Sequence, residues 1–197
     1  MKSLLALSFL LLCACGGKRA GSEAPAFGPT GRSDVQGTLE GQPFTAGDSL
    51  SYVGRDAATG DSFLTLWVSS FPNACGQASL NAGVRNATVL VLNLGTLGEQ
   101  SHRSAATQPG EYPIGAAAGG RIAQAAALRT DEACRASPLA VGAATGTVTI
   151  ANIGSSGASG TFDVRFAGSG DHLSGAFEAV ACPAAPLSAR APATSCR

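Results

Sequence analysis

Three kinds of side chain in this 197-residue sequence could do chemistry. They are a serine in Gly47-Asp48-Ser49-Leu50-Ser51, the two histidines His102 and His172, and six cysteines. A serine hydroxyl becomes a nucleophile only when a base takes its proton and amide donors hold the oxyanion that forms. His102 or His172 would have to be that base. Cys75, Cys134, Cys182 and Cys196 lie in the body of the chain and could form disulfides or hold a soft metal ion. Cys13 and Cys15 close an apolar opening segment and belong to a different chemistry.

The string GDSLS resembles the nucleophile block of the GDSL esterases and lipases. That resemblance implies Ser49 attacking acyl esters from the end of a buried parallel strand in an α/β fold. It also implies a glycine and an asparagine in separate blocks for the oxyanion, and DxxH near the C-terminus. The chain departs from each requirement. Glu40 to Ala46 contains no aliphatic run, and Pro43 interrupts it. Asp171 and His172 are adjacent, and residue 99, three before His102, is Glu99. Ser49 is therefore expected in a polar turn leading into a strand at Leu50-Ser51-Tyr52-Val53, and no enzyme is expected. GxSxG, HExxH, GK[ST] and GxGxxG are likewise missing. Asp171-His172 reads as a solvated turn pair, Asp131-Glu132 as loop charges, and Asp163 with Glu178 as a solvent face beside Arg165. Trp67 and Tyr112 either line a ligand pocket or pack in the core.

The opening MKSLLALSFLLLCAC has a basic Lys2 and a short apolar run from Leu4 to Leu12. A bilayer span needs about 20 apolar residues, so the run has the layout of a secretory signal. Leu12-Cys13-Ala14-Cys15 resembles the bacterial lipobox, with small Ala14 before the modified cysteine. The resemblance implies cleavage of a 1–14 signal peptide and diacylglyceryl attachment at Cys15, with palmitate-type acylation. Each buried methylene contributes about 0.8 kcal/mol, so several chains hold a protein stably on a membrane. Gly16 is not the aspartate of inner-membrane retention, so the lipobox rule implies the outer membrane. Residues 15–33, rich in Gly, Pro, Ser and Ala, read as a flexible tether reaching roughly 20–25 Å. Residues 34–197 then form one domain with a Pro/Ala-rich tail.

The side chains include 13 basic and 13 acidic residues, and loss of Lys2 tips this balance slightly negative. A nucleic-acid binder shows a basic stripe; none is seen here. Membrane contact through the lipid is the partner the sequence names. For an exported chain, Cys75, Cys134, Cys182 and Cys196 are disulfide candidates with three possible connectivities. The reading favours Cys75–Cys134 with Cys182–Cys196, the second a local pair pinning the tail. Zinc needs tight CxxC or HxxxH spacing, which is missing, so no metal or other cofactor is expected.

The elements that must position these residues are short apolar segments of period two, punctuated by Gly, Ser, Asn and Pro. Val35–Leu39 alternates. Phe63–Val68 and Thr88–Leu94 are apolar on both faces, as central strands would be. Gly95 to Pro109 reads as a polar loop, and Tyr112-Pro113-Ile114 as an edge strand because proline lacks an N–H. Gly146–Ile150 pairs with Thr161–Phe166 across Gly154–Gly157, and a further turn leads to Leu173–Ala179. Phe162, Val164 and Phe166 share a face, as do Leu173, Phe177 and Ala179. SGTFDV and SGAFEA begin fifteen residues apart and are expected to face one core. Residues 121–135 suit either a helix or a strand and turn. The class is all-β: an antiparallel sandwich or open barrel with a C-terminal meander and little helix.

Val35-Gln36-Gly37-Thr38, Asn73-Ala74-Cys75, Pro109-Gly110-Glu111-Tyr112 and Leu173–Ala179 with Cys182 are similar to uncharacterised β-rich lipoproteins of myxobacteria, a resemblance that implies no activity. The expected function is a lipid-anchored cell-envelope β-domain, structural or binding. A small-ligand or glycan binder is the alternative, and an esterase using Ser49 the second.

Overall fold

The computed structural model describes residues 30–79, 82–98, 102–183 and 195–196. The signal segment, Cys15, most of the tether and most of the tail lie outside these residues. In chain order the elements are β1 (Arg32–Leu39), β2 (Gln42–Pro43), β3 (Asp48–Arg55), β4 (Ser62–Ser69), α1 (Ala74–Ser79) and β5 (Ala82–Gly83). There follow β6 (Thr88–Leu97), β7 (Arg103–Ala105), β8 (Gly110–Ile114), β9 (Arg121–Thr130), β10 (Ala136–Pro138) and β11 (Ala144–Gly154). The last are β12 (Gly157–Phe166), β13 (His172–Ala181) and β14 (Ser195–Cys196).

Eight strands close a barrel in the order β9-β8-β11-β12-β13-β3-β4-β6, with β6 pairing back to β9 from Thr88↔Arg129 to Thr96↔Arg121. All-β is therefore the class, and closure removes the exposed edges a sandwich would leave. Two contacts in the ring are parallel, and each joins the end of one strand to the start of another. Ile114 lies beside Ala123, and Val180–Ala181 lie beside Leu50–Ser51. These are narrow seams. At the second, β1 fills the rest of the β13 edge, from Arg32↔Glu178 to Gly37↔Leu173.

Apolar side chains fill the interior. Leu64, Leu66, Val68, Leu90, Leu92 and Leu94 meet Phe162, Val164, Phe166, Leu173 and Phe177 in one buried cluster. The C-terminal meander is as the period-two pattern predicts: Val148 opposes Phe162, and the Phe162 and Phe177 rings stack with centroids 6.5 Å apart. Outside the barrel a smaller cluster forms under α1 from Leu50, Ala74, Cys75, Ala78 and Cys182, with Tyr52, Trp67 and Phe71 beside it. The two-faced β4 serves both: Leu66 points inward and Trp67 outward. Glycine permits the tight strand contacts. A Cβ at Gly160 would stand 1.9 Å from the Thr149 carbonyl oxygen, so no side chain fits there.

Several sequence expectations change. Arg32 and Ser33, assigned to the tether, already belong to β1, because the β13 edge offers them a ladder. Part of the 95–109 loop is strand, as β6 runs to Leu97 and pairs with β7. β8 is not an edge strand, since it lies between β11 and β9. Its ladder to β9 is a single bridge at Ile114, so Pro113 has little to disrupt on that side. The ambiguous 121–135 segment is strand β9 followed by a turn, its alanines packing against β6. Tertiary pairing overrides the alanine helix propensity.

The disulfides are Cys75–Cys182 and Cys134–Cys196, which corrects the favoured pairing. The four candidate cysteines are right, but sequence proximity misled the choice of partners. The barrel brings the end of β13 to α1, so Cys182 meets Cys75 and leaves Cys196 for Cys134.

Candidate functional site: the Asp48–Ser49 seam

Asp48 and Ser49 open β3 at the seam with β13, and both are fully buried. Ser49 is thus not a turn serine but the second residue of a strand. Its single hydroxyl proton is shared between the Arg32 carbonyl at 2.9 Å and the Glu178 carbonyl at 3.1 Å. These carbonyls belong to β1 and β13 at the point where the β13 edge passes from β1 to β3. Asp48 does still more. Its Oδ1 accepts from the Gly31 amide at 2.6 Å and the Ser49 amide at 2.7 Å, and its Oδ2 accepts from the Ala74 amide at 2.7 Å. One carboxylate thereby joins the entry to β1, the start of β3 and the first residue of α1. Gly31 is required, because a Cβ there would lie 2.0 Å from the Ser49 carbonyl oxygen. Ser51 repeats the pattern one pleat on, its hydroxyl donating to the Val180 carbonyl at 3.3 Å.

Neither histidine serves this serine. His172 Nε2 lies 2.8 Å from Asp163 Oδ2, and His102 Nδ1 lies 3.6 Å from Asp61 Oδ1. Glu178 lies six positions beyond His172 along β13, about 20 Å of extended chain. The amide of Ser49 itself, which a nucleophilic serine can offer to an oxyanion, is already taken by Asp48. The arrangement is a structural staple: it satisfies main-chain groups where two ladders end, as buried polar groups require.

Asp171 is a second staple, and the expectation of a solvated turn pair is corrected. Asp171 is 4% exposed. Its carboxylate accepts from the Thr38 hydroxyl at 2.8 Å and from the amides of Glu40 at 2.7 Å and Gly41 at 3.0 Å. Glu40 and Gly41 are the two left-handed residues of the β1–β2 turn, with φ of 51° and 70°. Burial pushes the Asp171 carboxyl up, but hydrogen bonds from Ser169, Gly41, Thr38 and Glu40 outweigh it and hold the pKa at about 2. Glu40 also pairs with Arg129 of β9 at 2.7 Å, so the hairpin tip is tied to strands on two sides of the barrel. Glu178 and Asp163 do lie on the outward side, Asp163 beside Arg165 at 3.6 Å. Asp131, expected as a loop charge, is exposed and caps its own turn, accepting from the Ala133 and Arg135 amides at 2.8 Å each. Its carboxyl is lowered, chiefly by the Arg135 amide.

Tyr112 is fully buried and donates to the Gln108 carbonyl at 2.7 Å, so it is a core residue. Trp67 meets Tyr52 edge-on at 5.8 Å in the cluster under α1. Burial raises the Tyr52 phenol, against opposing pulls from Thr65 and Trp67. Shallow grooves do cross the outer surface, including one of about 460 Å³ between Asp34, Thr161 and Glu178 and one of about 400 Å³ running past Asn152 and Ser159. Neither is lined by Trp67 or Tyr112. Among the described residues no group of three or more His, Cys, Asp or Glu could hold a metal ion.

Of the seam residues, Asp48, Ser49 and Ser51 fall in the GDSLS string, which carries no signal of a staple. Asp48 could have been noticed as a charged residue entering an apolar strand, whereas the Gly31 contact has no sequence signal. Comparison with known protein families, curated proteins and solved structures finds no match for this chain.

Proposed function

We propose that the chain is a lipid-anchored β-barrel module of the cell envelope that works by structure or binding and not by ester hydrolysis. The observation that carries the non-catalytic reading is the commitment of the Ser49 hydroxyl to the carbonyls of Arg32 and Glu178. A nucleophile needs a base within hydrogen-bond reach, and this hydroxyl spends its proton on main chain. The anchor rests on Leu12-Cys13-Ala14-Cys15 behind a short apolar run. Cys15 carries the lipid, the tether spaces the barrel from the outer membrane, and the apolar core makes the barrel a rigid support.

The test has two arms. Cells expressing the chain are grown with radioactive palmitate, and label is expected on the wild type but not on Cys15→Ala. Label that survives Cys15→Ala overturns the anchor. Purified protein is then assayed with short-chain nitrophenyl esters. Turnover that Ser49→Ala abolishes, with the variant still folded, overturns the non-catalytic reading.

A further inference from the structure

The two disulfides hold very different parts of the molecule. Cys75 and Cys182 are 7% and 1% exposed, inside the apolar cluster with Leu50, Ala74 and Ala78. They join α1 to the residue that follows β13, a strand of the barrel ring. Cys134 and Cys196 are half-buried, and every residue from Asp131 to Pro138 other than Cys134 is exposed. Cys196 Sγ lies 3.4 Å from the Glu132 carbonyl in exposed surroundings.

We infer that Cys134–Cys196 is a releasable redox clasp on β14, while Cys75–Cys182 is a permanent structural bond. Attack on a disulfide requires a thiolate to reach one sulfur along the S–S axis, so access decides which bond exchanges first. The reductant is a dithiol. One of its thiolates bonds to Cys134 or Cys196, the S–S bond breaks, and the other cysteine leaves as a thiolate that takes up a proton. The second reductant thiol then displaces the bound cysteine, so the dithiol becomes a disulfide and the protein gains two thiols.

Opening the clasp leaves the barrel intact by construction. What it frees is β14, whose two residues pair with Ala82 and Gly83 of β5, outside the eight-stranded ring. The turn that presents Cys134 does not need the bond, because Asp131 holds the Ala133 and Arg135 amides. Release therefore uncovers the β5 edge beside α1 and loosens that excursion, which Cys75–Cys182 still anchors. The clasp makes the order of β5 depend on the thiol–disulfide balance around the protein.

The purified full chain is titrated with dithiothreitol under native conditions, and free thiols are trapped with iodoacetamide and mapped by mass spectrometry. Cys134 and Cys196 are expected to be labelled first, at least tenfold faster than Cys75 and Cys182. The near-ultraviolet circular dichroism of Trp67 should persist while amide exchange at Ala82–Gly83 rises. Simultaneous opening of both bonds overturns the clasp. So does earlier labelling of Cys75 and Cys182, or resistance of Cys134–Cys196 until the barrel unfolds. In Cys196→Ser the barrel is expected to fold with Cys134 reactive; loss of the fold in that variant contradicts the division of roles.

Discussion

Replacing Asp48 with asparagine tests the seam directly. The carboxylate accepts three main-chain amides with both oxygens, and it is fully buried. Asparagine keeps the volume but turns one oxygen into an NH2. Whichever way the amide is placed, that NH2 faces a backbone N–H and leaves at least one buried donor unpaired. Hydrogen bonds to a charged acceptor contribute roughly 1.5–3 kcal/mol each and neutral ones about 1 kcal/mol, while an orphaned donor costs about 1–3 kcal/mol. The loss should therefore be about 4 kcal/mol, a large share of the roughly 5–15 kcal/mol that holds a domain folded. Ser49→Ala removes a donor only, and the carbonyls of Arg32 and Glu178 belong to a strand ladder, so about 1 kcal/mol is expected. Urea unfolding followed through Trp67 fluorescence measures both, and the m value should not change. An Asp48→Asn loss below about 1 kcal/mol, or a Ser49→Ala loss exceeding it, would show that the staple is misassigned.

Further outcomes are expected elsewhere in the molecule. Asp171 has a folded pKa of about 2 against an ordinary value of 3.8, so its stabilisation is complete above the ordinary value and fades as pH falls toward 2. Acid unfolding of Asp171→Asn should lack that loss between pH 4 and pH 2, and the variant should already be weaker at neutral pH; an unchanged acid profile contradicts the assignment. Cys75→Ser opens a loop of separation 107 and leaves a polar hydroxyl in an apolar cluster, so a cost of about 4–5 kcal/mol is expected by calorimetry. Phe166→Ala should cost about 3–5 kcal/mol in the same measurement, because its ring is 1% exposed within the barrel core. A cost under about 1 kcal/mol would contradict that packing.

The strands were legible because period two is a local property. Phe162, Val164 and Phe166 could be assigned to one face from spacing alone, and the 161–166 and 146–150 pairing followed from a short turn. Residues 121–135 were not legible, because alanine favours helix in isolation while the neighbouring β6 offers a full ladder. The polar turn expected at GDSLS is strand β3 for a related reason. A turn and a buried strand end can carry the same letters, and only the distant partners of Ser49 and Asp48 set this segment in a strand.

By itself the sequence determined the all-β class, the faces of the meander and the set of four bonded cysteines, since each follows from residue types and short spacings. The tertiary structure decided that the barrel closes, which cysteines pair, and that Asp48, Ser49 and Asp171 are buried braces. Those outcomes depend on groups brought together across 17 to 133 residues of chain. Local spacing holds no information about such contacts; the stagger of β1, β3 and β13 creates them.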